Sequence, residues 1–205
     1  MPNCLRHLSF FSVTTLLSIL ATGCGETLSI PPIPHETLRN GDLAFRRGIG
    51  YASDAVVIAG SGKYSHVGII IKTDKGWSVV HAVPDERPDG EAVDRIKSEP
   101  IADFFAPHRA IRGEIIRIAC PDSTAGKAAA IALTKTGTPF DHDYDLNDST
   151  ALYCTELVRN AFQQAGFPLN GSNRLTHVAF PFYDGDYLLP SAIYTNNREM
   201  TLYKY

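Results

Sequence analysis

Three side chains of this 205-residue chain have types and spacings suited to nucleophilic chemistry: Cys154, His66 and His81. A thiol attacks a carbonyl as its thiolate. It needs a base to take its proton and return it to the leaving group, and that base needs an orienting partner. Cys154 lies in Leu152-Tyr153-Cys154-Thr155-Glu156-Leu157-Val158. Counting from it, Leu157, Val158, Ala161, Phe162 and Ala165 fall at the i+3, i+4, i+7, i+8 and i+11 positions of a helix with one buried stripe. Glu156, Arg159, Asn160, Gln163 and Gln164 fall on the other side, and Gly166 with Pro168 ends the helix. Asp148, Ser149 and Thr150 upstream are N-cap types. The thiol is therefore predicted in the first turn, facing inward, where the helix dipole and free N–H groups lower its pKa. The same position also suits a cysteine used only as a small buried hydrophobe. Spacing alone does not separate the two uses.

A base has to come from seven histidines. His7 and His35 precede the folded region, His108 precedes a strand, His142 lies in an Asp-rich loop and His177 in an irregular tail. His66 and His81 remain, on two β-prone runs, Ser65–Ile71 and Trp77–Val83, joined by the turn Thr73-Asp74-Lys75-Gly76. With Asp74-Lys75 at the centre of the turn, residues whose numbers sum to 149 face each other. His81 then opposes Gly68 and is diagonal to His66 on the same face, about 7 Å away. A slip of one residue would put the rings on opposite faces.

The elements holding these groups belong to one domain. Residues 1–23 carry a basic Arg6 and His7, an apolar run from Leu8 to Leu20, then Ala21-Thr22-Gly23-Cys24, the form of a signal peptide. Gly23 before Cys24 resembles a bacterial lipobox, which implies a lipidated Cys24. An ordinary secretory signal is the alternative. Gly25 in place of Asp argues, by the same resemblance, against retention at the inner membrane. Removing the signal takes away Arg6 alone among charged residues, leaving 18 basic against 22 acidic side chains, net −4. That balance gives no footprint for nucleic acid. Residues 24–38, with Pro31, Pro32 and Pro34, read as a stiff tether, and 39–205 as a single domain with a proper core. The domain keeps two cysteines, Cys120 and Cys154, which an oxidising compartment could bridge.

Within the domain, Gly41–Arg46 reads as a strand, Tyr51–Ala59 as a short helix, Glu91–Ile96 as a short strand and Pro100–Phe105 as a short helix. Arg109–Cys120 supplies further strand, and Asp122 or Ser123 caps a helix that runs to Gly137. After Pro168 the chain is irregular until a last strand at Met200–Tyr205. Helices and antiparallel strands mix without a βαβ rhythm, so the fold class is α+β.

Gly41-Asp42-Leu43-Ala44-Phe45, Ser65-His66-Val67-Gly68-Ile69, Val80-His81-Ala82 and Tyr153-Cys154-Thr155-Glu156-Leu157-Val158 occur in that order. Together they resemble the circularly permuted branch of the NlpC-type papain-like cysteine hydrolases, the YiiX and YebB-like group, over about Leu38 to Leu189. In this branch the histidine strand precedes the cysteine helix. The resemblance implies an antiparallel sheet packed on helices, Cys154 as nucleophile at a helix N-terminus, His66 as base and His81 as the third, polar residue. Close relatives often carry an acidic residue at that third place. It further implies that the Cys154 N–H serves an oxyanion hole, that Tyr153 and Asp42 flank the site and touch substrate, and that no cofactor or metal is needed. The implied activity is hydrolysis of an amide, in peptidoglycan-type peptides, by a protein held in the cell envelope through its N-terminal lipid, at the periplasmic side of the outer membrane. Lipid acyl hydrolysis or transfer, and a non-catalytic binding lipoprotein of the same fold, are the alternatives. Two metal readings compete. Asp141, Asp143 and Asp145 open like a calcium loop, but Leu146 and Leu152 occupy the places of the required Gly and Glu. His66, His81 and Cys154 are also a legitimate zinc set.

Overall fold

Strands from both halves of the chain pair into one antiparallel sheet, and the Cys154 helix packs on it. In chain order the elements are β1 (Leu43–Gly48), α1 (Tyr51–Ala59), β2 (His66–Thr73), β3 (Gly76–Ala82), β4 (Ile96–Pro100), α2 (Ile101–Phe104) and β5 (Ala110–Ile118). They continue with α3 (Asp122–Thr134), α4 (Cys154–Ala165), β6 (Thr176–Phe180), β7 (Tyr183–Tyr187), α5 (Pro190–Asn197) and β8 (Arg198–Lys204). The six-stranded sheet has the order β4-β3-β2-β1-β5-β8, and β6 and β7 form a separate hairpin. The computed structural model describes residues 30–86, 92–180 and 183–205, and Pro31–Tyr205 forms one unit. The expected signal segment and residues 24–29 of the expected tether, Cys24 among them, lie outside the described residues.

The β2–β3 hairpin has the expected register: Ile69 faces Val80 and Ile70 faces Val79. Continuing it by one pair sets Gly68 against His81, and a Cβ on Gly68 would come 2.4 Å from Val79 Cγ1 and 3.0 Å from the His81 Cβ. A side chain there would displace the strand that carries His81. α3 and α4 pack on each other and on β2. Leu157, Val158, Ala161 and Phe162 of α4 join Leu43, Phe45, Val67, Ile69 and Val80 of the sheet in one core. Each fully buried side chain of this size contributes about 1.5–3 kcal/mol. α3 lies close because its inward residues are Ala125, Ala128, Ala129 and Ala132, and because Gly41, at φ +91°, has no Cβ to strike the Ala125 carbonyl 2.4 Å away.

Several expectations need correction. β4 runs from Ile96 to Pro100, not from Glu91 to Ile96, because pairing with β3 (Ala82 with Ile96, His81 with Lys97) specifies it rather than its own polar sequence. Of that expected strand, Glu91 lies outside the described residues. α4 begins at Cys154 with Tyr153 in the cap position and no side-chain cap. Asp148 instead bonds Thr150 within the preceding loop. α3 likewise starts after Pro121 without a side-chain cap. Glu156 is not on a solvated side: only 2% of it is exposed. The tail after Pro168 is ordered into β6, β7 and α5 before β8. The helix stop is as read, with Gly166 left-handed at φ 93° and the Phe167 N–H returning to the Phe162 carbonyl at 2.9 Å.

Candidate active site

Cys154 is the first residue of α4, and Leu188 clamps the backbone around it. The Thr155 hydroxyl donates to the Leu188 carbonyl at 2.6 Å, and the Leu188 N–H reaches the Tyr153 hydroxyl at 3.4 Å. The sulfur lies near β2, and the N–H groups of Val67, of Thr155 and of Cys154 itself favour its thiolate form. Val67 follows His66 directly, and α4 packs on β2, so the thiol lies beside the histidine strand.

His66 opens β2 and His81 lies near the end of β3, both buried. His66 Nε2 is 2.8 Å from His81 Nδ1, and His81 Nε2 is 2.9 Å from Glu99 Oε1. The Phe104 ring from α2 packs on both imidazoles, with centroids 5.7 and 5.1 Å away. The register thus brings together the two histidines that the sequence pairs. It also adds Glu99, which the sequence reading missed because it ended β4 three residues too early. Once His81 is set opposite Lys97, the alternation Lys97-Ser98-Glu99 puts Glu99 on the same face, and that is the signal that would have found it.

Three cations surround the carboxylate end of this line. Arg109 Nη1 lies 2.6 Å and Lys97 Nζ 3.1 Å from Glu99 Oε2. Neighbouring Glu86 pairs with Lys97 at 3.2 Å and with the buried Arg46. Arg46, directly opposite His66 in the sheet, donates to the Phe104 carbonyl at 2.9 Å and lies 4.6 Å over the Phe104 ring.

Burial dominates the titration of these groups. It pushes the Cys154 thiol up to about 11, against the lowering from its three backbone N–H donors. The expectation of a lowered thiol is therefore corrected: desolvation outweighs the helix terminus. Burial, then the charges of Arg46, His81 and Lys97, lowers His66 well below its ordinary value. Burial also brings His81 down to about 4, although Glu99 opposes it. Burial alone would raise the Glu99 carboxyl. The bonds from His81 and Arg109 and the charges of His81 and Lys97 prevail and hold it well below the usual carboxylate range. At neutral pH the resting set is a thiol, two neutral imidazoles and a carboxylate.

The other residues singled out in the sequence are placed as follows. Asp42 is not brought to the site. Its carboxylate, 0% exposed, is held bidentately by Arg117 at 2.9 and 2.8 Å and capped by the Arg39 N–H. Its carbonyl pairs with Ile70, three residues and about 10 Å along β2 from Val67. The Tyr153 ring points inward, buried against Tyr144 at 5.4 Å, so it supports the Cys154 peptide from below. Cys120 and Cys154 are both free thiols. The Asp-rich loop spends its carboxylates on its own backbone: Asp141 on Asp143 and Tyr144, Asp145 on Asn147. Among the described residues, the metal-ligating atoms lying within 4.8 Å of one another are those of His81, Glu86 and Glu99, not the Cys154 set. That donor group does not fit a cation. Arg46, Lys97 and Arg109 already neutralise its carboxylates, and both His81 nitrogens are committed.

The model of a family described as permuted papain-like amidase enzymes, YaeF/YiiX, matches residues 37–201. No curated protein matches the chain. Among solved structures, one described as the metalloprotein yiiX from Escherichia coli O157:H7 is similar, with a TM-score of 0.63 at 18% identity. The likeness covers 82% of this chain and 97% of that one. The α+β architecture, a large antiparallel sheet packed against helices, is that of the permuted papain-like fold. Its match spans all six sheet strands but the last residues of β8, together with the Cys154 helix, and on it the chain belongs to the family of permuted papain-like amidases, YaeF/YiiX.

Proposed function

We propose that this protein is a cysteine amidase that hydrolyses an amide through an acyl-enzyme on Cys154, with His66 as base. The observation that carries the reading is the thiol at the start of α4, near the Val67 N–H that follows His66, with His66, His81 and Glu99 in one hydrogen-bonded line. His66 spends Nε2 on His81, so Nδ1 is the nitrogen left to take the thiol proton. Proton transfer accompanies attack, because neither a lone thiolate nor a lone imidazolium is favoured in this buried setting. The sulfur bonds to the carbonyl carbon, and the oxyanion is stabilised by the Cys154 N–H at the positive end of α4. The imidazolium returns its proton to the amine as the C–N bond breaks. Water, deprotonated by the same histidine, then releases the acid and restores the thiol.

The substrate class is peptidoglycan-type peptides with their isopeptide bonds, and the setting is the cell envelope, through a lipidated Cys24 and the Pro-rich tether. The resemblance to NlpC-type hydrolases supports the substrate class, and the lipobox-like Gly23 before Cys24 supports the setting. A second reading, acyl hydrolysis or transfer on a lipid, is favoured by α1. This apolar helix buries none of its residues and leaves Tyr51 70% and Ile58 66% exposed. α1 starts close to the site, since the Gly48 N–H bonds the Ser65 hydroxyl at 2.9 Å, one residue before His66. Incubating the purified protein with a muropeptide mixture and, separately, with phospholipid vesicles, each read by mass spectrometry against Cys154→Ala, decides between them. Peptide cleavage dependent on Cys154 supports the amidase, deacylated lipid supports the second reading, and neither product removes both.

A further inference from the structure

We infer that Glu99 is a positioning residue that sets the tautomer of both histidines, leaving Nδ1 of His66 as the unprotonated nitrogen. The inference deepens the proposal above and rests on His66 being its base. Glu99 Oε2 receives Arg109 at 2.6 Å and Lys97 at 3.1 Å, groups that can only donate. They keep Glu99 ionised, so its Oε1 can only accept, and the proton in the 2.9 Å bond to His81 belongs to His81 Nε2. A neutral imidazole carries one N–H, so His81 Nδ1 is a bare acceptor. The 2.8 Å bond between the rings then requires His66 to donate from Nε2. The one lone pair left on His66 is at Nδ1, where a thiol proton can be accepted. Each step follows from donors and acceptors that have no alternative role.

The same logic makes the amide isostere worse than a deletion. In Glu99→Gln the oxygen must stay with Arg109 and Lys97, which cannot accept, so the NH2 group faces His81 Nε2. His81 is then driven to carry its proton on Nδ1, His66 must accept at Nε2, and His66 Nδ1 becomes protonated. The base is turned off without any atom larger than hydrogen moving. Glu99→Ala leaves a gap in which His81 Nε2 can keep its proton on water. Glu99→Asp keeps the acceptor. The expected order of kcat is wild type, Asp, Ala, then Gln, with Gln down on the order of 10²–10⁴-fold, as for a carboxylate-to-amide change that reverses a catalytic histidine. A purely structural role gives the opposite ranking of Gln and Ala.

The test uses the mature protein with 15N-labelled histidine. Long-range 1H–15N spectra at pH 7.5 report which ring nitrogen of each histidine carries the proton, with His66→Gln and His81→Gln assigning the signals. The expected wild-type result is Nε2–H on both rings, inverted to Nδ1–H on both in Glu99→Gln. Finding His81 protonated at Nδ1 in the wild type, or the same spectrum in wild type and Glu99→Gln, overturns the inference. The spectrum is independent of turnover. If His66 proved dispensable for activity, the base assignment would fall, while the tautomer relay would stand or fall on its own signals.

Discussion

The raised Cys154 thiol makes a quantitative statement about reactivity. With Cys154 at about 11, roughly one molecule in 3,000 carries the thiolate at pH 7.5, against about one in 10 for an unperturbed cysteine near 8.5. The more basic thiolate is intrinsically the better nucleophile, by about tenfold for such a difference, which returns part of the loss. Alkylation of the folded protein by iodoacetamide at Cys154 should therefore run roughly 20-fold slower than alkylation of the same residue in the urea-unfolded chain. It should rise about tenfold per pH unit from 7 to 10 without a plateau. The assay is a pH series of timed alkylations, quenched, digested and read by mass spectrometry for the peptide containing Cys154, with Cys120, also raised by burial, as an internal comparison. A rate that is flat between pH 5 and 8 and exceeds that of the unfolded chain would show a standing thiolate–imidazolium pair. Burial would then not outweigh the helix terminus.

Other expectations follow from the same structure. Gly68→Ala should destabilise the protein by about 1–3 kcal/mol in urea unfolding and impair activity, because the new Cβ meets Val79 and the strand bearing His81. A neutral outcome would mean that the hairpin is looser than described. His81, whose folded pKa is about 4 against 6.5, binds its proton more weakly when folded, so its contribution is full above pH 6.5 and fades as pH falls through 4. Over that window the wild type should lose up to about 3 kcal/mol that His81→Asn does not lose, measured by urea melts at pH 7 and 4. Equal slopes for the two proteins would contradict it. Cells given a fatty-acid analogue should label the full-length protein and not Cys24→Ala, and equal labelling would remove the anchor.

The extent to which the site could be read from the chain divides along physical lines. The hairpin was legible because an even turn between two β-prone runs leaves one register with both histidines on one face, and Gly68 between them is the residue that register needs. α4 was legible from its period and its Gly166 stop, though not from its start, where Asp148 and Thr150 bond each other. Glu99 was not, since Lys97-Ser98-Glu99 has no β propensity of its own and becomes strand only against β3. Asp42 was drawn toward the site by its motif, yet it serves Arg117. Glu156, polar by type, is buried with its carboxyl pushed up to about 7, first by burial, while Asn160 and the Tyr153 N–H partly counter the shift. The sign of the Cys154 shift was beyond the chain altogether. Helix position is local, but the burial that opposes it depends on tertiary packing.

The central claim, hydrolysis through Cys154 with His66 as base, is tested most directly by measuring turnover and covalent intermediate together. Wild type, Cys154→Ala and His66→Ala would be mixed with the substrate identified from the muropeptide and lipid mixtures, quenched in acid within seconds, and read by intact-protein and peptide mass spectrometry. The structure leads us to expect an acyl adduct on the Cys154 peptide of the wild type, none in Cys154→Ala, and loss of turnover in both variants. Wild-type turnover in Cys154→Ala, or an adduct on any other residue, would contradict it.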